Sequence, residues 1–101
     1  MRPEFITNED IARWSESMEN DPNMPQAYLD QPLIREVCYA GMWLCEELEK
    51  AGCNELLITR IQFTAGQLSF GHNPWTVHQE MLEAYKNNQL EFEVDYDAPD
   101  A

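Results

Sequence analysis

The stretch from Asp30 to Gly52 constrains the fold of this chain more than any other part of its sequence. Pro32 stands where a helix can begin, Asp30 precedes it as an acidic cap, and Gly52 supplies a stop. At about 100° per residue, the apolar residues between them share one broad stripe: Leu33, Ile34, Val37, Cys38, Gly41, Met42, Leu44, Cys45 and Leu48. We predict a long central helix over residues 32–51, with other elements packed against it.

Three further segments combine a capping residue with apolar residues at helical spacing. Thr7 and Asp10 have the spacing of a capping box, with Asp in place of Glu. Residues 26–30 are predicted to form one short helical turn. The remaining predicted helices cover residues 8–19, 55–70 and 74–87, after Thr7, Asn54 and Asn73.

The 55–70 segment is apolar on two sides. Its main stripe is Leu57, Ile58, Ile61, Ala65 and Leu68, and its second stripe is Leu56, Phe63 and Phe70. A helix of this kind is typically sandwiched between other elements. A competing interpretation is a strand over residues 58–64, which are rich in β-branched side chains and could pair antiparallel with residues 90–96 in an α+β fold.

Together these segments favour a mostly α protein. Short connections between helices predict a compact, four-helix bundle-like single domain over residues 1–88. Residues 89–101 form an acidic tail, strand-like or disordered. Within it, apolar and acidic residues alternate strictly from Leu90 to Asp97, as on a strand with one apolar and one charged face.

The charge balance limits the classes of partner. The chain has 19 acidic and 6 basic residues and a formal net charge of −13. Such a field repels nucleic acids and anionic membrane surfaces, and it accelerates encounter with basic proteins. We therefore expect a protein partner with a basic surface, without direct contact to nucleic acid or membrane.

No residue pattern indicates catalysis or a cofactor. The three cysteines include no CxxC pair, and the chain starts without a secretory leader, so free thiols in the cytoplasm are expected. Cysteine and histidine lack the spacing of a closed zinc site, and there is no phosphate-binding loop, HExxH or GxSxG motif. The sequence predicts a non-enzymatic protein without a metal or cofactor.

Two regions are candidate partner-binding sites. Tyr39 and Trp43 lie opposite the apolar stripe of the central helix, near Glu46 and Glu47, and aromatic residues of these types anchor interfaces. They can equally be covered within the monomer by the first helix, by residues 20–31 or by the tail. The predicted partner-binding set is Tyr39, Trp43, Glu46, Glu47, Glu91, Phe92, Glu93, Asp95, Tyr96 and Asp97.

These features lead to one main hypothesis and two alternatives. The main hypothesis is a stoichiometric inhibitor or modulator that occupies a basic, nucleic-acid-handling surface of a partner protein. In size and charge alone, the chain resembles the small acidic inhibitors that phages and other mobile elements use against host defences, such as anti-CRISPR and anti-restriction proteins. The alternatives are a self-assembling helical module, such as a homodimer that could enclose a ligand, and an enzyme with an unrecognised site.

Overall fold

The structure, a computed structural model, describes residues 2–89. Within this range the chain forms five helices and no strand. They are α1 (Asn8–Glu19), α2 (Gln26–Asp30), α3 (Pro32–Lys50), α4 (Glu55–Leu68) and α5 (Pro74–Lys86). The mostly α class is confirmed, and the short turn predicted over residues 26–30 is α2. The tail predictions for residues 90–97 lie outside the described residues.

The helix boundaries follow from the capping residues. The Thr7 hydroxyl accepts the Asp10 backbone N–H at 3.0 Å, and the Asp10 carboxylate accepts the Thr7 N–H at 3.0 Å, which completes the predicted capping box. Asn54 and Asn73 accept backbone N–H groups at the starts of α4 and α5. Gly52 follows α3 with a φ of 81°, a left-handed conformation that glycine adopts without strain.

The predicted capping role of Asp30 is wrong. Asp30 is the last residue of α2, and its carboxylate accepts the side-chain N–H of Gln26 at 2.9 Å. Gln31 is the N-cap of α3 and makes no side-chain capping bond. Only one residue separates the two helices, so the extended conformation that an N-cap needs falls on Gln31 and not on Asp30.

The alternative strand over residues 58–64 is also wrong, because these residues lie inside α4. Ile58, Ile61 and Ala65 are its buried residues, at the spacing of three and four that a helix requires. The Asn54 cap and this spacing outweigh the β-branched composition. A sheet pairing residues 58–64 with residues 90–96 is therefore excluded.

Helix α3 is the centre of the molecule and packs against the other four helices. Its buried residues are Tyr39, Ala40, Trp43, Leu44 and Leu48, which point to more than one side of the helix, whereas Leu33 is largely exposed. The stripe predicted for this helix therefore omits Tyr39, Ala40 and Trp43, which are buried, and includes Leu33, which is not. No helix among residues 2–89 is long and apolar enough to cross a membrane.

Helices α1 and α4 pack on different sides of α3. Tyr39 hydrogen-bonds Ser15 of α1 at 3.5 Å, whereas the Gly41 carbonyl accepts the side-chain N–H of Gln62 of α4 at 2.6 Å. Two residues along an α-helix correspond to a rotation of about 200°, which places these contacts on nearly opposite sides. The two outer helices therefore present separate surfaces to solvent.

Candidate interaction surfaces

The three tryptophans of the chain meet in one cluster between α1, α3 and α5. The Trp75 ring centroid lies 6.4 Å from that of Trp14 and 6.3 Å from that of Trp43. Phe5 adds a fourth ring at 5.8 Å from Trp43. Tilted rings at these separations attract one another beyond the gain from burial alone. This cluster fixes the position of α1 relative to α3.

Two glutamates of α3 satisfy the polar atoms of this cluster. Glu46 accepts the indole N–H of Trp14 at 3.0 Å and an N–H of Arg13 at 3.0 Å. Glu36 accepts the indole N–H of Trp75 at 2.8 Å and pairs with Arg2. Partial burial raises the pKa of the Glu36 carboxyl, but the hydrogen bonds from Arg2 and Trp75 outweigh it and hold that pKa below its ordinary value.

Arg35 ties three helices together beside Tyr39. Its guanidinium donates to the Tyr39 hydroxyl at 2.9 Å, to the Leu29 carbonyl at 3.0 Å and to the Ser15 hydroxyl. It also lies 5.7 Å from the centroid of the Tyr39 ring. These hydrogen bonds join α1 and the end of α2 to α3, so the Arg35 side chain has a structural role in the monomer.

The sequence left two alternatives for Tyr39 and Trp43, a partner-binding surface or cover within the monomer, and the structure supports the second. They are 4% and 8% exposed: the Tyr39 hydroxyl lies 3.5 Å from that of Ser15 in α1, and the Trp43 ring packs against Phe5 and Trp75. The neighbouring charges suggested a surface, but Arg35 bonds the Tyr39 hydroxyl and Glu46 accepts the indole N–H of Trp14, so both charges serve buried rings. A usable signal was present: Arg35 and Tyr39 are spaced by four on one helix, which allows their side chains to bond.

The other predicted partner-binding residues fall into two groups. The Glu46 carboxylate is engaged by α1, and Glu47 pairs with Lys50 at 3.2 Å, so neither presents a free carboxylate. The remaining six lie outside residues 2–89 and stay predictions: Glu91, Phe92, Glu93, Asp95, Tyr96 and Asp97.

The outer side of α1 is acidic. Glu9 and Glu16 lie seven residues apart, about 10 Å along the helix, and both are exposed. They point away from Trp14 and Met18, the buried residues of α1. Neither makes an ion pair with any residue between 2 and 89. We call Glu9 and Glu16, with exposed Glu4 before the helix and Asp21 after it, the acidic α1 face.

Most basic side chains are already paired with carboxylates of the fold. Arg2 pairs with Glu36, Arg13 with Asp10 and Glu46, Arg35 lies 3.9 Å from Glu19, and Lys50 pairs with Glu47, which accounts for four of the six bases. Arg13 lies on the same side of α1 as Glu9 and Glu16 but is engaged by Asp10 and Glu46, so the acidic α1 face keeps a net negative potential.

Helix α4 presents a different exterior. Leu56, Phe63 and Phe70 are 78%, 66% and 78% exposed. The prediction that this second stripe is sandwiched is wrong for the described part of the chain, where nothing covers it. The sequence contains an indication of this uncharged surface, because residues 56–79 include no acidic residue although the chain has 19. We call Leu56, Thr59, Phe63 and Gly66 of α4, together with Phe70 in the turn directly after it, the α4 seam.

A groove lies beyond the end of α4. It has a volume of about 400 Å³ and is lined by Leu68, His72, Asn73, Thr76, Val77, Glu80 and Met81. Leu68 is 51% exposed and lies seven residues after buried Ile61, so the groove is on a different side of α4 from Leu56 and Phe63.

Cys38, Cys45 and His78 are placed as structural side chains. Burial raises the pKa of the Cys38 thiol, and burial together with Glu49 and Glu46 raises the pKa of the Cys45 thiol, which disfavours the reactive thiolate. The Nδ1 atom of buried His78 donates to the Pro74 carbonyl at 2.7 Å. Among residues 2–89, no group of three or more His, Cys, Asp or Glu side chains could hold a metal ion.

Comparison with protein-family models, with curated proteins and with solved structures returned no match. The two surfaces described above therefore carry the functional argument.

Proposed function

We propose that this is a non-enzymatic cytoplasmic interaction protein whose acidic α1 face occupies a basic, nucleic-acid-handling surface of a partner protein. The observation that carries the proposal is the pair of exposed carboxylates on α1, Glu9 and Glu16, whose neighbour Arg13 is already engaged by Asp10 and Glu46. Carboxylates presented in a row compete with phosphates for a basic groove. The partner class includes nucleases of host defence systems, by the analogy of size and charge drawn above.

The tryptophan cluster supports this role by holding α1 rigidly. Trp14 and Met18 are buried, and the contacts from Arg13 and Trp14 to Glu46 fix the helix against α3. A helix that is already ordered loses little conformational entropy when it binds. Tyr39 and Trp43 thus act inside the monomer, where they position the acids that meet the partner.

A capture experiment with matched variants tests the proposal. The full chain is used to capture its partner from the native host, and binding of the identified partner is measured with and without duplex DNA or RNA over a salt series. We expect competition by nucleic acid and a steep loss of affinity as the salt concentration rises.

Two matched variants each remove two negative charges, one pair from α1 and the other from α5. The double variant Glu9→Gln/Glu16→Gln should weaken partner binding at least about tenfold, the effect of losing roughly 1.4 kcal/mol of binding free energy. Glu80→Gln/Glu83→Gln removes two exposed carboxylates of α5 and should change binding much less. Equal effects of the two pairs, or binding that nucleic acid does not compete with, would refute the proposal.

A further inference from the structure

The α4 seam alternates large and small residues at heptad spacing. Leu56, Phe63 and Phe70 recur every seven residues, and Thr59 and Gly66 lie three residues after the first two of them. Spacings of three and four in alternation generate the seam along which two helices pack. The seam therefore has bulky side chains separated by gaps.

The gap at Gly66 is open. A Cβ atom placed on Gly66 would meet no atom of the rest of the protein within 4 Å. Thr59 is exposed, and its hydroxyl bonds back to the Glu55 carbonyl at 3.2 Å, so it leaves only a methyl group on the surface. Both small residues offer space into which a neighbouring side chain can insert.

We propose that the α4 seam is the interface of a symmetric homodimer in which a second copy of this chain packs its own α4 antiparallel against the first. In a two-fold arrangement, residue i contacts residue j and residue j contacts residue i. One register places Phe63 against Gly66 of the second copy and Phe70 against Thr59 of the second copy. Phe63 and Phe70 then each face a small residue, and Leu56 lies against residues beyond the end of α4 of the second copy, whereas a parallel pair would place Phe63 against Phe63 of the second copy.

The charge of the seam agrees with this occupant, and its area predicts a weak dimer. Between Leu56 and Phe70 the only ionisable group is Arg60, so the seam brings no carboxylates of the two copies together. The exposed fractions of Leu56, Phe63 and Phe70 leave on the order of 400 Å² of apolar surface per copy. Two copies would bury on the order of 800 Å², which is less than the roughly 1,000 Å² of a stable interface and is in the range of a weak, reversible one. The dimer uses a surface separate from the acidic α1 face, so neither proposal depends on the other.

Sedimentation of the full chain over a range of concentration and salt tests the dimer. Two copies of a protein with a net charge of −13 repel each other, and salt screens that repulsion. We expect a monomer–dimer equilibrium that tightens by about tenfold or more between roughly 0.05 and 0.5 M salt. The heterocomplex proposed above should respond to salt in the opposite direction, which keeps failure of one proposal distinct from failure of the other.

Two substitutions in the seam make the test specific. Phe63→Glu should abolish the dimer while the helical circular dichroism of the monomer is unchanged. Gly66→Leu should also weaken the dimer by at least about tenfold, because it fills the gap, yet it should raise the thermal midpoint of the monomer by replacing a helical glycine. Leu33→Glu, at an exposed apolar residue of α3 outside the seam, should leave the dimer intact.

Three results would overturn the proposal. The first is a full chain that stays monomeric up to submillimolar concentration in high salt, and the second is a dimer that survives both Phe63→Glu and Gly66→Leu. The third is a monomeric full chain that dimerises only after residues 90–101 are removed, which would assign the seam to that segment of the same chain.

Discussion

Helices α1 and α4 both pack on α3, yet they divide apolar and charged residues in opposite ways. Helix α1 buries Trp14 and exposes Glu9 and Glu16, whereas α4 buries its isoleucines and still exposes Leu56 and Phe63. Burial of one face is enough to place each helix in the fold. The two outer faces therefore differ in what they favour: the α1 face is stable in water, and the α4 face is more stable when covered.

The largest expected difference between the two helices is in the effect of removing an aromatic ring. Trp14→Ala should lower the free energy of unfolding by about 3–5 kcal/mol, because it removes a ring from the tryptophan cluster and leaves a cavity. Phe63→Ala should change it by less than about 0.5 kcal/mol in the monomer, since that ring is mostly in solvent. Urea denaturation at low protein concentration measures both values. Similar losses for the two variants would show that α4 is covered within the monomer.

The next effect concerns the carboxylates of α3 that face α1. Glu46→Ala should destabilise the protein by about 1–2 kcal/mol, because the indole N–H of Trp14 and the guanidinium of Arg13 both lose their acceptor. Glu47→Ala removes only a pair with exposed Lys50 and should cost no more than about 0.5 kcal/mol. Chemical denaturation of both variants checks this ordering, and a larger loss for Glu47→Ala would contradict the assigned role of Glu46.

Helix positions could be predicted from the sequence because they depend on local chemistry. The Thr7 capping box, the Asn54 and Asn73 caps and the glycine stops act over a few residues, so their spacing alone sets the helix boundaries within two residues. The wrong prediction for Asp30 also comes from local chemistry. Asp30 was expected to cap α3, but α2 ends at this residue.

The surfaces could not be predicted because they depend on which elements meet. Helical periodicity places Tyr39 and Trp43 opposite the apolar stripe of α3, but only the tertiary structure brings α1 over that side. Conversely, the apolar residues Leu56 and Phe63 resemble core residues in a sequence pattern, and no described element reaches them. Burial of a side chain is a property of its neighbours, which one-dimensional periodicity does not contain.

A smaller effect is expected from backbone propensity on the two outer faces. Gly66→Ala should stabilise the monomer by about 0.5–1 kcal/mol, because the new methyl group meets no other atom and alanine favours the helix. The mirror variant Ala12→Gly, at an exposed residue of α1, should destabilise it by a similar amount. Thermal denaturation at a concentration where the monomer dominates measures both. A loss of stability in Gly66→Ala would show that the gap at residue 66 is already filled within one chain.

The smallest expected effect is the pH dependence of stability that Glu36 contributes beside the tryptophan cluster. Because the folded protein holds the pKa of Glu36 below its ordinary value of 4.5, folding favours the ionised form of this carboxyl. Its contribution to stability is therefore present above the unfolded pKa and is lost as the pH falls through the lower, folded pKa.

Glu36→Gln keeps an acceptor for the indole N–H of Trp75 and loses only the charge. We expect the variant to be slightly less stable than the natural chain at pH 7, with a difference that shrinks to nothing in acid. Thermal midpoints of both proteins at descending pH measure this difference, and a gap that stays constant or widens below pH 4.5 would show that the charge of Glu36 does not stabilise the cluster.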